Sequence, residues 1–221
     1  GLKVDVSVTE PQLKDEEQRK CTMDSQRMAR DLQTKVQSNA AYQKMQQQRQ
    51  RLPAYEMQKD IIQAVRDHQV IVISGDTGCG KTTQLPQLIL DDLIRQGRGG
   101  EADMICTQPR RISAMAVADR VASERAEQVG QTIGYQIRLE AKRSRETKLL
   151  FCTTGVLLRR LQGDCLLKGV SHIFVDEIHE RDINSDFLLI ILKRLLPFRP
   201  SLKVILMSAT LNAAMFAGYF K

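Results

Sequence analysis

From about Pro11 to Arg51 the chain is polar and rich in Gln, with Gln46, Gln47 and Gln48 in a row, and its apolar positions thin out to Met28, Leu32 and Val36. A spacing of four suits one long helix, but the stripe is too sparse for the sustained heptads of a coiled coil. The expectation is therefore a linker helix lying on the next domain, punctuated by Pro53. Residues 1–52 read as this N-terminal Gln-rich helix and residues 53–221 as the domain. From Tyr55 onward short β-branched runs alternate with longer helical stretches, the pattern of repeated βαβ units. The expected strands are Val70 to Ser74, Met104 to Thr107, Leu149 to Thr153, His172 to Val175 and Val204 to Ser208. Each is apolar enough to be covered on both faces, which predicts an α/β fold with a mostly parallel sheet. The expected helices are Tyr55 to Asp67, Lys81 to Arg95, Ile112 to Glu127, Thr154 to Leu161, Ile183 to Leu196 and Ala213 to Phe220. Gly97 to Gly100 and Lys142 to Lys148 read as exposed loops, and Thr132 to Glu140 is a further strand candidate that periodicity does not place.

The 221 residues, 42% hydrophobic and 27% charged, allow one domain with an appendage but hardly a complete two-lobed enzyme. Thirty-three Lys plus Arg against 26 Asp plus Glu give a net charge of +7, which favours a polyanionic partner. With no Trp, four Tyr and six Phe there are few rings for base stacking, so contact with nucleic acid would rest on phosphates. The five cysteines are scattered and never spaced C-x-x-C, which indicates neither a disulfide framework nor a zinc site. A reducing, intracellular setting is expected, cytoplasmic or nuclear. The longest apolar run, Phe187 to Leu192, is too short to cross a bilayer, and no signal-peptide core precedes the domain. Gly1 in place of Met is what an excised segment would show.

Chemistry concentrates at the ends of the expected strands. After the first comes Gly75-Asp76-Thr77-Gly78-Cys79-Gly80-Lys81-Thr82, which satisfies the phosphate-loop pattern G-x-x-x-x-G-K-[ST] between a strand and a helix. Glycines let the backbone wrap phosphate oxygens with N–H groups, and the helix start aims its positive end at the same charge. Lys81 would reach the β and γ phosphates, and the Thr82 hydroxyl would hold Mg²⁺. Thr77, Gly78, Cys79, Gly80, Lys81, Thr82 and Thr83 are thus the candidate nucleotide contacts. After the fourth strand stand Asp176-Glu177-Ile178-His179. Alone this would read as a helix cap or solvated turn. Beside a phosphate loop, Asp176 becomes a candidate for the Mg²⁺ shell and Glu177 for activating a water, and His179 joins the catalytic set through these neighbours. Three other strand ends, Thr107-Gln108-Pro109-Arg110-Arg111, Thr153-Thr154-Gly155 and Ser208-Ala209-Thr210, put hydroxyls and guanidiniums on the edge where open α/β sheets bind ligands. His68 and His172 are assigned no role.

The segments GDTGCGKTT, TQPRRISA, CTTG, DEIHERD and LMSAT, in this order, resemble the first-lobe motifs of the DEAH/RHA family of superfamily 2 RNA helicases. The resemblance runs from about Leu52 to Phe220. Ile178, Cys79 and the Gly134-Tyr135-Gln136-Ile137-Arg138-Leu139-Glu140 stretch are similar to the RNA helicase A-like branch. It implies a RecA-like P-loop NTPase fold, ATP or ADP with Mg²⁺ as cofactors, and RNA as partner through its phosphate backbone. It further implies that Arg120 stacks on the nucleotide base, that Arg110, Arg138 and Thr154 touch the RNA backbone, and that Ser208 and Thr210 couple nucleotide state to strand movement. The family's second RecA-like lobe, source of the arginine fingers, is not in the sequence, so a half-motor is expected. Two other readings stay open beside it: a P-loop phosphotransferase, and a nucleotide-dependent RNA-binding scaffold without unwinding. DNA as the bound strand also stays open, because phosphate contacts do not exclude it.

Overall fold

The computed structural model describes residues 10–209 and 213–220. Its centre is a seven-stranded sheet of β1 (Val70–Ser74), β2 (Met104–Gln108), β3 (Ile133–Ile137), β4 (Glu140–Lys142), β5 (Leu149–Thr153), β6 (His172–Val175) and β7 (Lys203–Ser208), in the order β1-β7-β6-β2-β5-β3-β4. All neighbours are parallel except β3 and β4, which form an antiparallel hairpin. Around the sheet lie α1 (Glu10–Ser38), α2 (Ala40–Arg49), α3 (Pro53–Glu56), α4 (Gln58–Asp67), α5 (Lys81–Arg95), α6 (Arg111–Glu124), α7 (Thr154–Gly163), α8 (Ile183–Leu195) and α9 (Ala213–Phe220).

Both faces of the sheet are apolar because successive side chains of a strand point to opposite sides. Met104, Cys106, Phe174, Ile205 and Met207 pack with Ile61 and Val65 of α4, Leu85, Ile89 and Ile94 of α5, and Ala114, Ala118 and Val121 of α6. Ile105, Ile173, Val175, Val204 and Leu206 pack on the other side with Leu157 and Leu161 of α7 and Leu188 and Leu192 of α8. This is the RecA-like α/β arrangement with helices on both faces and a helix before it.

The N-terminal stretch departs from the expected single long helix. It breaks at Asn39, whose side chain caps α2 by accepting from the Tyr42 N–H at 2.9 Å. Met28 and Leu32 are buried as their spacing suggests, but Val36 is 52% exposed, and Tyr42 beyond the break takes up the apolar series. Each such side chain stabilises the docked position by roughly 1.5–3 kcal/mol. Gly97 to Gly100 is not wholly an exposed loop either, since Gly99–Glu101 form a 3₁₀ turn in which Gly99 is buried near Met28 and Ile94. Gly100 donates its N–H to Ser25 Oγ at 2.8 Å, and a Cβ there would lie 2.0 Å from the Cys21 carbonyl oxygen. In the Lys142 to Lys148 stretch, Lys148 is buried, donating to Gly100 O at 3.1 Å and pairing with Asp24 at 3.6 Å. The unplaced Thr132 to Glu140 stretch supplies β3 and the first residue of β4.

Candidate active site

Parallel register brings the carboxyl ends of β1, β7, β6, β2 and β5 to one edge of the sheet, with Ser74 beside Ser208, Thr107 beside Val175 and Gln108 beside Thr153. The loop 75–80 leaves β1 there, tied back by Gly75 N–H to Ser208 O at 3.2 Å. Gly78 and Gly80 have φ of +86° and +94°, the left-handed conformation that glycine takes without strain. Gly80 caps α5 without a side chain, so the first backbone N–H groups of that helix remain for an anion. Within the loop Lys81 Nζ donates to the carbonyls of Gly75 at 2.5 Å and Asp76 at 3.0 Å and lies 3.6 Å from Cys79 Sγ. Thr77 and Gly78 are exposed at the loop tip, and Thr83 Oγ1 accepts from Gln84 Nε2 at 2.8 Å.

The two acidic positions enter from the end of β6. Asp176, 3% exposed, accepts from Thr82 Oγ1 at 2.6 Å and Gln108 Nε2 at 2.7 Å on one oxygen and from the Glu177 N–H at 2.9 Å on the other. The phosphate loop after β1 and the acidic motif after β6 therefore meet at one carboxylate, with Gln108 of β2 as a third member. Glu177 sits at φ 54°, ψ 36°, an uncommon conformation for a non-glycine residue, and the 3₁₀ turn Ile178–Glu180 follows it. Burial, and then the neighbouring Asp176, raise the Glu177 carboxyl above its ordinary value, against the pull of His179 and Lys81. His179 Nε2 lies 3.3 Å from Glu177 Oε2, while its Nδ1 accepts the Ala209 N–H at 3.2 Å. An imidazole that accepts at Nδ1 carries its proton on Nε2, so the Ala209 contact sets His179 to donate to Glu177. His179 thus bridges the acidic motif and the strand end at Ser208, which is buried. Thr210 lies outside the described residues.

Arg138, at the exposed turn between β3 and β4, and Thr154, the buried first residue of α7, both line an open cleft of about 1320 Å³. Arg111, Arg143, Arg145 and Arg159 line it too, and motif reading assigned no role to any of them. Arg110, 74% exposed, pairs instead with Glu180 at 3.4 Å, and it is Arg111 that faces the cleft. Arg120 lies on α6 with Nε on Glu124 Oε1 at 2.7 Å. The other oxygen of that buried carboxylate accepts from Gln84 at 2.9 Å and Gln87 at 2.7 Å, both on α5. Sequence reasoning passed over Gln84 and Glu124, and named Gln108 only within its strand-end stretch. The i,i+4 spacing of Arg120 and Glu124 was the one available signal.

A family model described as DEAD/DEAH box helicase matches residues 55–216. The chain is 62% identical over 178 residues to the DExH-box ATP-dependent RNA helicase DExH3 of Arabidopsis thaliana, a match spanning 80% of this chain and 15% of that protein. To DHX57 of Homo sapiens it is 61% identical over 184 residues, 83% of this chain and 13% of that one. To the ATP-dependent DNA/RNA helicase DHX36 of Homo sapiens it is 54% identical over 198 residues, 88% of this chain and 20% of that protein. The chain spans 20% or less of the length of each of these relatives.

Proposed function

The chain belongs to the DEAD/DEAH box helicase family, and from that premise we propose that it is the first ATP-binding lobe of an ATP-dependent RNA helicase of the RNA helicase A-like branch. The observation that carries the reading is the 2.6 Å contact of Thr82 with Asp176, which joins the phosphate loop to the acidic motif. ATP or ADP is held by the loop N–H groups and by Lys81, whose ammonium turns from the loop carbonyls to oxygens of the β phosphate and, in ATP, of the γ phosphate. Arg120 offers the flat face of its guanidinium to the base.

The donor set at Thr82 and Asp176 fits Mg²⁺. It supplies two hard oxygens, and among the described residues no cluster of three or more His, Cys, Asp and Glu forms an all-protein metal cage. Such a pair suits an ion that keeps waters and takes phosphate oxygens. When bound, Mg²⁺ neutralises charge on the β and γ phosphates. Glu177, with its raised proton affinity, accepts the proton of the attacking water, and His179 holds one of its oxygens in place. Ser208, which ends β7, and Thr210 pass the nucleotide state to the strand, with the His179 to Ala209 contact as the physical link. RNA lies in the cleft against Arg138 and Thr154 through phosphates, and Arg110, outside the cleft lining, reaches the same strand by leaving Glu180. A second RecA-like lobe supplies the positive charge on the far side of the γ phosphate. The compartment is intracellular, cytoplasmic or nuclear, a reading supported by five free cysteines. Among the described residues no helix is long and apolar enough to cross a membrane.

The test is steady-state phosphate release by the 221-residue chain, with and without single-stranded RNA, and by the two-lobed parent. The chain alone binds ADP and hydrolyses ATP slowly, because an arginine finger typically contributes about 10³ to 10⁵ of the rate. The parent is stimulated by RNA. Turnover by the chain alone at the rate of the parent, or a parent indifferent to RNA, overturns the reading.

A further inference from the structure

Charged side chains are buried where the N-terminal helices meet the lobe, in a cluster that the mechanism above does not use. Arg49, the last residue of α2, is 1% exposed. Its Nε donates to Gln84 Oε1 at 2.7 Å and lies 3.9 Å from Glu124 Oε2, one terminal nitrogen is 3.7 Å from Asp91, and its guanidinium sits 5.8 Å from the Tyr55 ring centre. Neither terminal nitrogen makes a hydrogen bond. Charge, rather than a closed hydrogen-bond set, is what Arg49 brings to two buried carboxylates. Asp91 has a second partner in Arg125 at 2.6 Å, which frees Arg49 to serve Glu124.

Glu124 is the junction. One of its oxygens gathers Gln84 and Gln87, and the other holds Arg120. Gln84 follows the phosphate loop within one helical turn and donates its own N–H to Gly80 O at 2.7 Å. The approach of the N-terminal segment continues past Arg49. Leu52 lies 3.2 Å from where a Gly80 Cβ would stand, and Ala54 donates its N–H to Cys79 O at 3.1 Å. The N-terminal helices therefore abut the nucleotide loop itself.

We propose that Arg49 is a positioning residue of the nucleotide site: from the N-terminal helix it fixes the Glu124 carboxylate, which in turn holds the Arg120 guanidinium against the base. The inference rests on the reading of Arg120 given above. Arg49 is 1% exposed and meets the site through Gln84 and Glu124, so its effect falls on the base and not on the phosphates.

The test compares two probes, Mg²⁺-ADP and Mg²⁺-pyrophosphate, by calorimetry on the full 221-residue chain. Pyrophosphate engages the loop but has no base. Arg120→Ala lowers the ratio of ADP to pyrophosphate affinity by roughly 3- to 30-fold, the range of a cation–π contact. Arg49→Met lowers it at least threefold, Arg49→Lys restores it to within about twofold, and Arg49→Met adds nothing in the Arg120→Ala background. Glu124→Gln acts as Arg49→Met does and keeps the test alive if the latter fails to fold. Lys35→Ala, which removes the 2.6 Å contact of α1 with Glu127, loosens the same helices and leaves the ratio unchanged. A ratio untouched by Arg49→Met and Glu124→Gln but lowered by Arg120→Ala overturns the positioning role alone. So does equal loss for both probes, or a fall with Lys35→Ala as large as with Arg49→Met. A ratio indifferent to Arg120→Ala overturns the base contact, and this inference with it.

Discussion

Lys81→Ala separates ligand binding from folding, because the partners of Lys81 are of two kinds. In the loop its ammonium is held by the Gly75 carbonyl at 2.5 Å and the Asp76 carbonyl at 3.0 Å. On binding it turns to two phosphate oxygens, charge-assisted contacts worth about 1.5–3 kcal/mol each, or about 3–6 kcal/mol together. The two carbonyl contacts given up, at about 1 kcal/mol each, offset part of this. The remainder, about 1–4 kcal/mol, corresponds to a loss of roughly 5- to 10³-fold in affinity for a non-hydrolysable ATP analogue, which carries both phosphates. Stability changes far less. Gly75 is half-buried and Asp76 exposed, so water reaches both carbonyls once the lysine is gone. A cost below about 1 kcal/mol shifts the melting temperature by no more than about 2–4 °C in a domain of this size. Calorimetry with a Mg²⁺-bound, non-hydrolysable ATP analogue at fixed salt, run beside thermal unfolding of the same samples, reads both quantities. Unchanged affinity, or a loss that tracks unfolding, would refute the placement of Lys81 on the phosphates.

Glu177→Gln abolishes phosphate release in the two-lobed parent while leaving Mg²⁺-ADP affinity nearly intact; preserved turnover removes Glu177 from the role of base. Without Mg²⁺, burial and the neighbouring Asp176 raise the proton affinity of Glu177. Its stability contribution is present below the unfolded pKa and lost as pH rises through the folded one, so at neutral pH the Gln variant melts no lower than wild type. His172 shows the opposite sign: burial, with Lys203 and Arg98 nearby, lowers it to about 4, so stability present above about pH 6.5 is lost as pH falls toward 4. The loss amounts to about 3 kcal/mol at most, and His172→Gln flattens it in urea titrations at about pH 7 and pH 4.5; equal losses in the two proteins refute it. Gly100→Ala drives a Cβ against the Cys21 carbonyl and forces α1 off the lobe, forfeiting the burial of Met28 and Leu32, about 3–6 kcal/mol. Hydrogen exchange over residues 16–38 should rise in that variant, and unchanged protection contradicts the steric account.

The sheet was legible because parallel strands covered on both faces are near-continuous apolar runs, and β1, β5 and β6 begin and end where those runs do. The phosphate loop and the acidic motif were legible because their chemistry dictates residue type and spacing. Arg49, Asp91, Glu124 and Arg125 were not: pattern reading sends charges to solvent, and only their mutual pairing across α2, α5 and α6 allows burial. The break at Asn39 was masked by uniform polarity on either side, although Asn is a favoured helix cap. His179 was placed by its neighbours in the chain, but its contact with Ala209 spans two strand ends that no local pattern relates.

The strand order sets when this site can exist. β1, which carries the phosphate loop, stands at one end of the seven-stranded order and, among the described residues, pairs only with β7, the last of these seven strands in chain order. β7 also lies between β1 and β6, so the strand that leads to Lys81 and the strand that leads to Asp176 are both held by it. Closing so long a loop is slow, and its entropy is recovered only when Val204 to Ser208 pair with Val70 to Ser74. A nascent chain that ends before Lys203 leaves β1 with an unpaired edge and no contact between Thr82 and Asp176. During synthesis, nucleotide affinity arises in one step, when β7 joins the sheet, and a bound nucleotide then favours the chain in which that step is complete.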